Sequence, residues 1–262
     1  MKATASAQIM KKIFLTAMVM MLSWLAALNP SAARSATVAE DPSQDMPMED
    51  APHVSSFGKG ESPAYGDRIL FGSIGEASNL IPYLTSDSAS HEVADMLYVA
   101  PLRYNKDLQP EPWAAESWSM EEGGRLMRFT LRKGILWEDG QELTAEDVAF
   151  TYKLVIDPAT GSPYAEDFLR IKELRVLDRY TFEARYEQFF ARAVSSWMSP
   201  ILPKHILEGQ NIRETPFARK PVGAGPYRLK SWEPGSRITL TASPTYFDGK
   251  PHISEVVYRI IP

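Results

Sequence analysis

"LRKGILWEDGQELTAEDVAF", residues Leu131–Phe150, holds five carboxylates in ten positions: Glu138, Asp139, Glu142, Glu146 and Asp147. Three readings compete: a cation site, a pair of catalytic acids, or a turn that starts a capped helix. A calcium loop of the EF-hand type needs ligands at its first, third and fifth positions and glycine at its sixth. With Gly140 at the sixth, the first and third positions fall on Ile135 and Trp137, which do not ligate. A glycosidase needs two carboxyls roughly 5–10 Å apart across a sugar-sized cleft, and neighbours on one turn rarely face such a cleft. The third reading uses every residue. Asp139-Gly140 is a strong turn pair. Thr144 is a good N-cap, and Asp147 three residues on is a short-armed capping-box partner. Glu146 and Asp147 fall in the first helical turn, where negative charge gains about 0.3–1 kcal/mol each from the helix dipole. Trp137 and Leu143 flank the turn and are expected to pin it to a core. The stretch reads as strand, turn, capped helix.

Working outward, Val148, Tyr152 and Val155 recur at i, i+4 and i+7 and predict a helix that Pro158 and Gly161 stop. Upstream, a Glu-Glu-Gly-Gly turn precedes an alternation that puts Met127, Phe129 and Leu131 on one buried face of a hairpin strand. "ELRVLDRYTFEARYE" reads as a second hairpin about Asp178-Arg179, and "ARAVSSWMSPILPKHIL" as a helix interrupted by Pro200 and Pro203. From Val222 the pattern is strand, turn at Glu233-Pro234-Gly235, strand, Asp248-Gly249 turn, strand. Towards the N-terminus, "RILFGS" predicts a buried strand from Arg68 and "NLIPYLTSDSAS" a loop. Val93, Met96, Leu97 and Ala100 then predict a helix capped by Ser90 and ended by Pro101. The whole is a mixed α/β domain with antiparallel hairpins and interleaved helices, rather than a repeated βαβ wheel.

Composition narrows the chemistry. The 262 residues include no Cys, which excludes disulfides and thiolate ligation. The four His residues (His53, His91, His205, His252) include no i, i+4 pair, and His91 is expected to be exposed at a helix start. Lys11 and Lys12 precede the apolar run Ile13–Leu28 and then the small residues of "NPSAARSA". That order predicts a secretory signal peptide over 1–35, cut after Ala33 or Ser35. The 16-residue run is shorter than the roughly 20 residues that span a bilayer. Residues 36–66, with "EDPSQDMPMEDAP" at their centre, predict an acidic disordered linker, and 67–262 the folded body. Without the first 35 residues, which hold four cations and no acid, the formal charge moves from −5 to −9. That sign argues against nucleic acid as a partner. No GxSxG, Walker A, GxGxxG or HExxH sequence occurs, and the reading is not that of an enzyme.

Four segments together carry a resemblance: "AAESW" before the glycine turn, "RFTLRKGILWEDGQELTAEDVAFTYKLVIDP", "VGAGPYRLKSWEPGSRITL" and "SPTYFDGKP". In this order and spacing they resemble the family 5 extracellular solute-binding proteins, the oligopeptide and dipeptide receptors of ABC importers. The resemblance covers Arg68 to Pro262. It implies the first lobe of a periplasmic-binding-protein type II-like fold, in a monomer, with the second lobe missing. It also implies a periplasmic or otherwise extracytoplasmic location, peptide as ligand, permease subunits as partners, and no cofactor. The resemblance implies a ligand held between lobes that close like a hinge, with the acid that pairs with a peptide N-terminus on the second lobe. Two elements of the first lobe carry over. The loop after "NLIP" points to Ser86, Asp87 and Ser88 as ligand neighbours, and "TGSPYAEDF" points to Tyr164. A nickel, haem or sugar receptor on the same fold stays open as an alternative. So does a secreted hydrolase that uses the acidic turn.

Overall fold

The computed structural model describes residues 64–261, so the expected signal peptide and nearly all of the linker lie outside the described residues. Pairing starts at Gly66, two residues before the expected strand. Strand β1 (Gly66–Ser73) runs parallel to β10 (Ile253–Ile260), with Ile69 opposite Val256 and Phe71 opposite Tyr258. β9 (Arg237–Ala242) and β8 (Tyr227–Glu233) complete an antiparallel run, giving the order β1-β10-β9-β8. β1 is therefore an edge strand. Its Leu70 is 59% exposed, which corrects the expectation of a buried strand. An apolar run marks a strand but does not say which side of the sheet it will occupy.

A second sheet has the order β4-β5-β7-β6 and is antiparallel throughout. It comprises β4 (Ala115–Glu121), β5 (Leu126–Leu131), β6 (Ile171–Val176) and β7 (Thr181–Tyr186). Met127, Phe129 and Leu131 are buried on one face, as the alternation requires. Phe129 stacks on Phe182 at 4.8 Å between ring centres, and Trp197 closes on both. Leu102–Tyr104 and Pro110–Pro112, strands β2 and β3, form a small separate ribbon. Among the described residues no helix is long and apolar enough to cross a membrane.

The helices are α1 (Ser88–Leu97), α2 (Ala145–Ile156), α3 (Ala165–Leu169), α4 (Ala193–Ser196) and α5 (Lys204–Leu207). Pro200 and Pro203 separate the last two, which form short turns instead of one interrupted helix. α2 begins where the opening stretch places it. The Thr144 N–H donates to Asp147 Oδ2 at 2.8 Å, and Val148 and Val155 are buried. The side chain of Asp147 also accepts the Lys204 N–H at 2.9 Å, so one carboxylate caps α2 and ties down the start of α5.

The Asp139-Gly140 turn has a longer reach. The Glu138 N–H donates to Gly223 O at 2.9 Å, and the Gly223 N–H returns to Glu138 Oε1 at 3.3 Å. Two residues on, the Gly225 N–H donates to Leu97 O at 2.8 Å, at the C-terminal end of α1. The turn thus clamps a glycine loop that in turn seats α1.

Burial pushes the Glu138 carboxyl up to about 7, against the pull of the Gly223 N–H and Arg228 and with a push from Asp139. The folded value lies above the ordinary 4.5, so the folded state holds this proton more tightly than the unfolded chain. Stability contributed by the protonated form is present at low pH and is lost as pH rises from about 4.5 to about 7. Glu138→Gln, which keeps an acceptor for Gly223, is expected to remove about 1–2 kcal/mol of that decline, after discounting for solvent screening. Denaturant titrations of both proteins at the two ends of the window check this. Parallel pH profiles for wild type and variant would contradict it.

Candidate functional site

α1 starts from Asp87, not Ser90. The Asp87 Oδ1 accepts the Ser90 N–H at 2.7 Å, which is the N-cap bond. Oδ2 accepts hydroxyl protons from Ser78 at 2.7 Å, from Ser90 at 2.9 Å and, in a very short contact, from Thr85. Burial raises the Asp87 carboxyl, but the hydroxyls of Thr85, Ser78 and Ser90 and the Ser90 N–H outweigh it and hold the group at about 2. The carboxylate is spent on the chain itself. It gathers three hydroxyl side chains and fixes the loop that enters α1, while Ser86 and Ser88 on either side of it face solvent. Neither hydroxyl has a hydrogen-bond partner among the described residues.

Tyr164 arrives from the other side. It sits at the N-cap position of α3 without capping it, and its side chain is 37% exposed. Its hydroxyl lies 3.3 Å from Thr85 O and 2.8 Å from His91 Nε2. The ring stands edge-on to those of His91 and Tyr83, at 5.7 and 6.5 Å. The structure therefore brings together Ser86, Asp87, Ser88 and Tyr164, although Tyr164 is 79 residues from Thr85. It adds His91, which the sequence placed simply in solvent. Helical side chains lean towards the N-terminus, so a residue one turn into α1 reaches back over the cap. Nε2 of His91 lies 3.1 Å from Thr85 O. A His one turn after a Thr-Ser-Asp loop is the signal that was present.

The acids of the opening stretch are engaged elsewhere. Asp139 faces His205 Nε2 at 2.7 Å, Glu142 pairs with Arg179 at 2.8 Å and Glu146 with Lys204 at 3.0 Å. With Glu138 bonded to Gly223 and Asp147 capping α2, each of the five serves the fold. The hydrolase reading loses its residues. Trp137, expected to pin the turn to the core, is fully buried. Trp113, Trp118 and Trp232 pack against the core from half-buried positions. Two open concavities of about 620 and 680 Å³ lie on and beside the β1-β10-β9-β8 sheet, lined by residues such as Leu70, Thr239 and Trp232. The candidate site is by contrast one open wall.

This wall stands on a body of two four-stranded sheets and interleaved helices. Residues 109–262 match the family described as bacterial extracellular solute-binding proteins, family 5 Middle. The chain belongs to this family. The oligopeptide-binding protein AppA of Bacillus subtilis (strain 168) is 33% identical over 208 residues, 76% of this chain and 38% of AppA. The solved structure of AppA from Bacillus subtilis in complex with a nonapeptide superposes with a TM-score of 0.72 at 31% identity, over 77% of this chain and 41% of that one. The periplasmic binding protein DppA from Helicobacter pylori, in complex with the peptide STSA, gives 0.69 at 26% identity over 76% of this chain and 43% of DppA. NikZ from Campylobacter jejuni, in complex with Ni(L-His), gives 0.70 at 23% identity over 74% and 39%, and shares the fold. The chain thus spans about two-fifths of the length of the relatives it matches.

Proposed function

We propose that the lobe supplies one wall of a peptide-binding cleft in an extracytoplasmic receptor that delivers peptides to the permease of an ABC importer. The observation that carries the reading is the junction of the Thr85–Ser88 loop with Tyr164. Two serine hydroxyls, unpartnered among the described residues, stand on a loop that the Asp87 hydrogen bonds hold in place, and the half-exposed Tyr164 phenol meets that loop from the start of α3. A peptide backbone needs such a wall, since its carbonyls and N–H groups bind to fixed polar groups, directly or through water. Ser86, Ser88 and Tyr164 are the contacts in this reading, and Asp87 is the residue that presents them. AppA, solved with a nonapeptide and 31% identical, supports peptide as the ligand, while NikZ, at 23%, shares the fold alone. The folded body, 67–262, acts as the first lobe, and residues 1–35 as its export signal.

One wall without its opposite should bind weakly. Titration calorimetry of the chain with tri-alanine is expected to give a dissociation constant in the millimolar range with no product formed. Sub-micromolar affinity would contradict a half-cleft, and peptide hydrolysis would contradict a receptor.

A further inference from the structure

We propose that His91 is a positioning residue that sets which way the Tyr164 hydroxyl points, and so whether this wall offers its ligand a donor or an acceptor. The inference rests on the reading of this wall as the ligand surface, but its first test does not. Three atoms meet here: Tyr164 Oη and His91 Nε2 at 2.8 Å, His91 Nε2 and Thr85 O at 3.1 Å, and Tyr164 Oη and Thr85 O at 3.3 Å. The carbonyl only accepts, and the phenol has one proton to give. The imidazole nitrogen therefore decides the arrangement.

When Nε2 carries no proton, it accepts from the phenol across the shortest of the three contacts. The phenol oxygen then turns its lone pairs outward and suits a ligand N–H. When Nε2 is protonated, it donates to Thr85 O or to the phenol oxygen. The phenol proton is released from the imidazole and passes to Thr85 O or, where Nε2 occupies that carbonyl, to a ligand carbonyl or carboxylate. The two states differ in what they leave unpaired. A bare Nε2 takes the phenol proton and leaves Thr85 O without a donor from the triad, whereas a protonated Nε2 can donate to the phenol oxygen while the phenol donates to Thr85 O at 3.3 Å.

Acidic groups stand near His91. Glu92 and Asp95 lie on α1, Asp87 at its cap, and the phenol of Tyr164 on the facing segment. Burial and then the Asp87 charge raise the phenol above its ordinary value, so it keeps its proton throughout. Of the three groups, the imidazole is the one whose ring nitrogen can either hold or lack a proton, and it is the member of this triad that switches.

The test uses the full 262-residue chain with carbon- and nitrogen-labelled Tyr and His rings, without ligand. The Tyr164 Cζ resonance is expected to move with the same midpoint as the His91 ring nitrogens, and to stay flat in His91→Gln. A wild-type Tyr164 resonance that stays flat while His91 titrates overturns the proposal. Because this arm is read on wild type, a variant that folds poorly cannot obscure it. A second arm adds acetylated tri-alanine amide as probe. Its affinity is expected to change about three- to tenfold across the His91 midpoint, the worth of one hydrogen bond, and by less in His91→Gln. Probe binding with no pH dependence counts against His91. No probe binding at all counts against the peptide reading, while the ligand-free coupling still decides the role of His91.

Discussion

Gly223→Ala is expected to destabilise the chain by about 3 kcal/mol or more, at the severe end for a single added methyl. A Cβ built on Gly223 would lie 1.9 Å from Leu97 O and 2.9 Å from Leu97 C. Those atoms are backbone at the end of α1 and have no rotamer to yield. Either the loop moves away or α1 does. Both routes strain the Gly225 N–H bond to Leu97 O and the paired bonds between Glu138 and Gly223. For a folded body of this size the loss corresponds to a melting temperature lower by roughly 6–12 °C. Gly75 provides the control. A Cβ there meets nothing within 4 Å, so Gly75→Ala is expected to stay within about 0.5 kcal/mol. Equal melting temperatures for the two variants would contradict the packing described here. Because α1 carries His91, Gly223→Ala is also expected to loosen the Tyr164 contact, visible as an altered Tyr164 ring resonance.

Phe129→Ala is expected to cost about 3–5 kcal/mol, the range for emptying an aromatic site in a tight core. Phe129 is fully buried in a central strand. Its ring lies 4.8 Å from Phe182 and 5.0 Å from Trp197, and none of these neighbours can collapse into the gap without breaking the stack. Trp197 is further held by its Nε1–H bond to the Tyr186 hydroxyl at 3.1 Å, which limits its relaxation. Total stabilities of about 5–15 kcal/mol are usual, so the loss would consume a large share. Met120, on the neighbouring strand but 39% exposed, should tolerate alanine at well under half that cost. Denaturant titration of both variants checks the contrast. A Phe129→Ala loss below about 1 kcal/mol would mean the cluster is looser than its geometry states.

What the sequence made legible was local. Asp139-Gly140, Thr144 and Asp147 announce a turn and a cap within nine residues, and the alternation around Phe129 declares its buried face. Such signals depend on neighbours in the chain. The Ser90 cap was misread because both Asp87 and Ser90 are good capping residues three positions apart. The choice was made by Ser78 and Thr85, whose hydroxyls converge on Asp87. The edge position of β1 depends on β10, almost two hundred residues later. The raised Glu138 carboxyl depends on a glycine loop 85 residues away. In the candidate site, the loop and Tyr164 were legible through resemblance to a family. The part played by His91 was not, because its partner lies 73 residues off and neither residue announces the other.

The central claim is that the Thr85–Ser88 loop, His91 and Tyr164 form the ligand-facing wall. Residue-resolved nuclear magnetic resonance of the nitrogen-labelled chain, titrated with tri-alanine, tests it most directly. The account predicts weak, saturable shifts concentrated at Ser86, Ser88, His91 and Tyr164, with the Glu138–Asp147 turn and the Leu70–Thr239 sheet face unmoved. Shifts centred on the acidic turn or on that sheet face, with the Tyr164 loop silent, would contradict it.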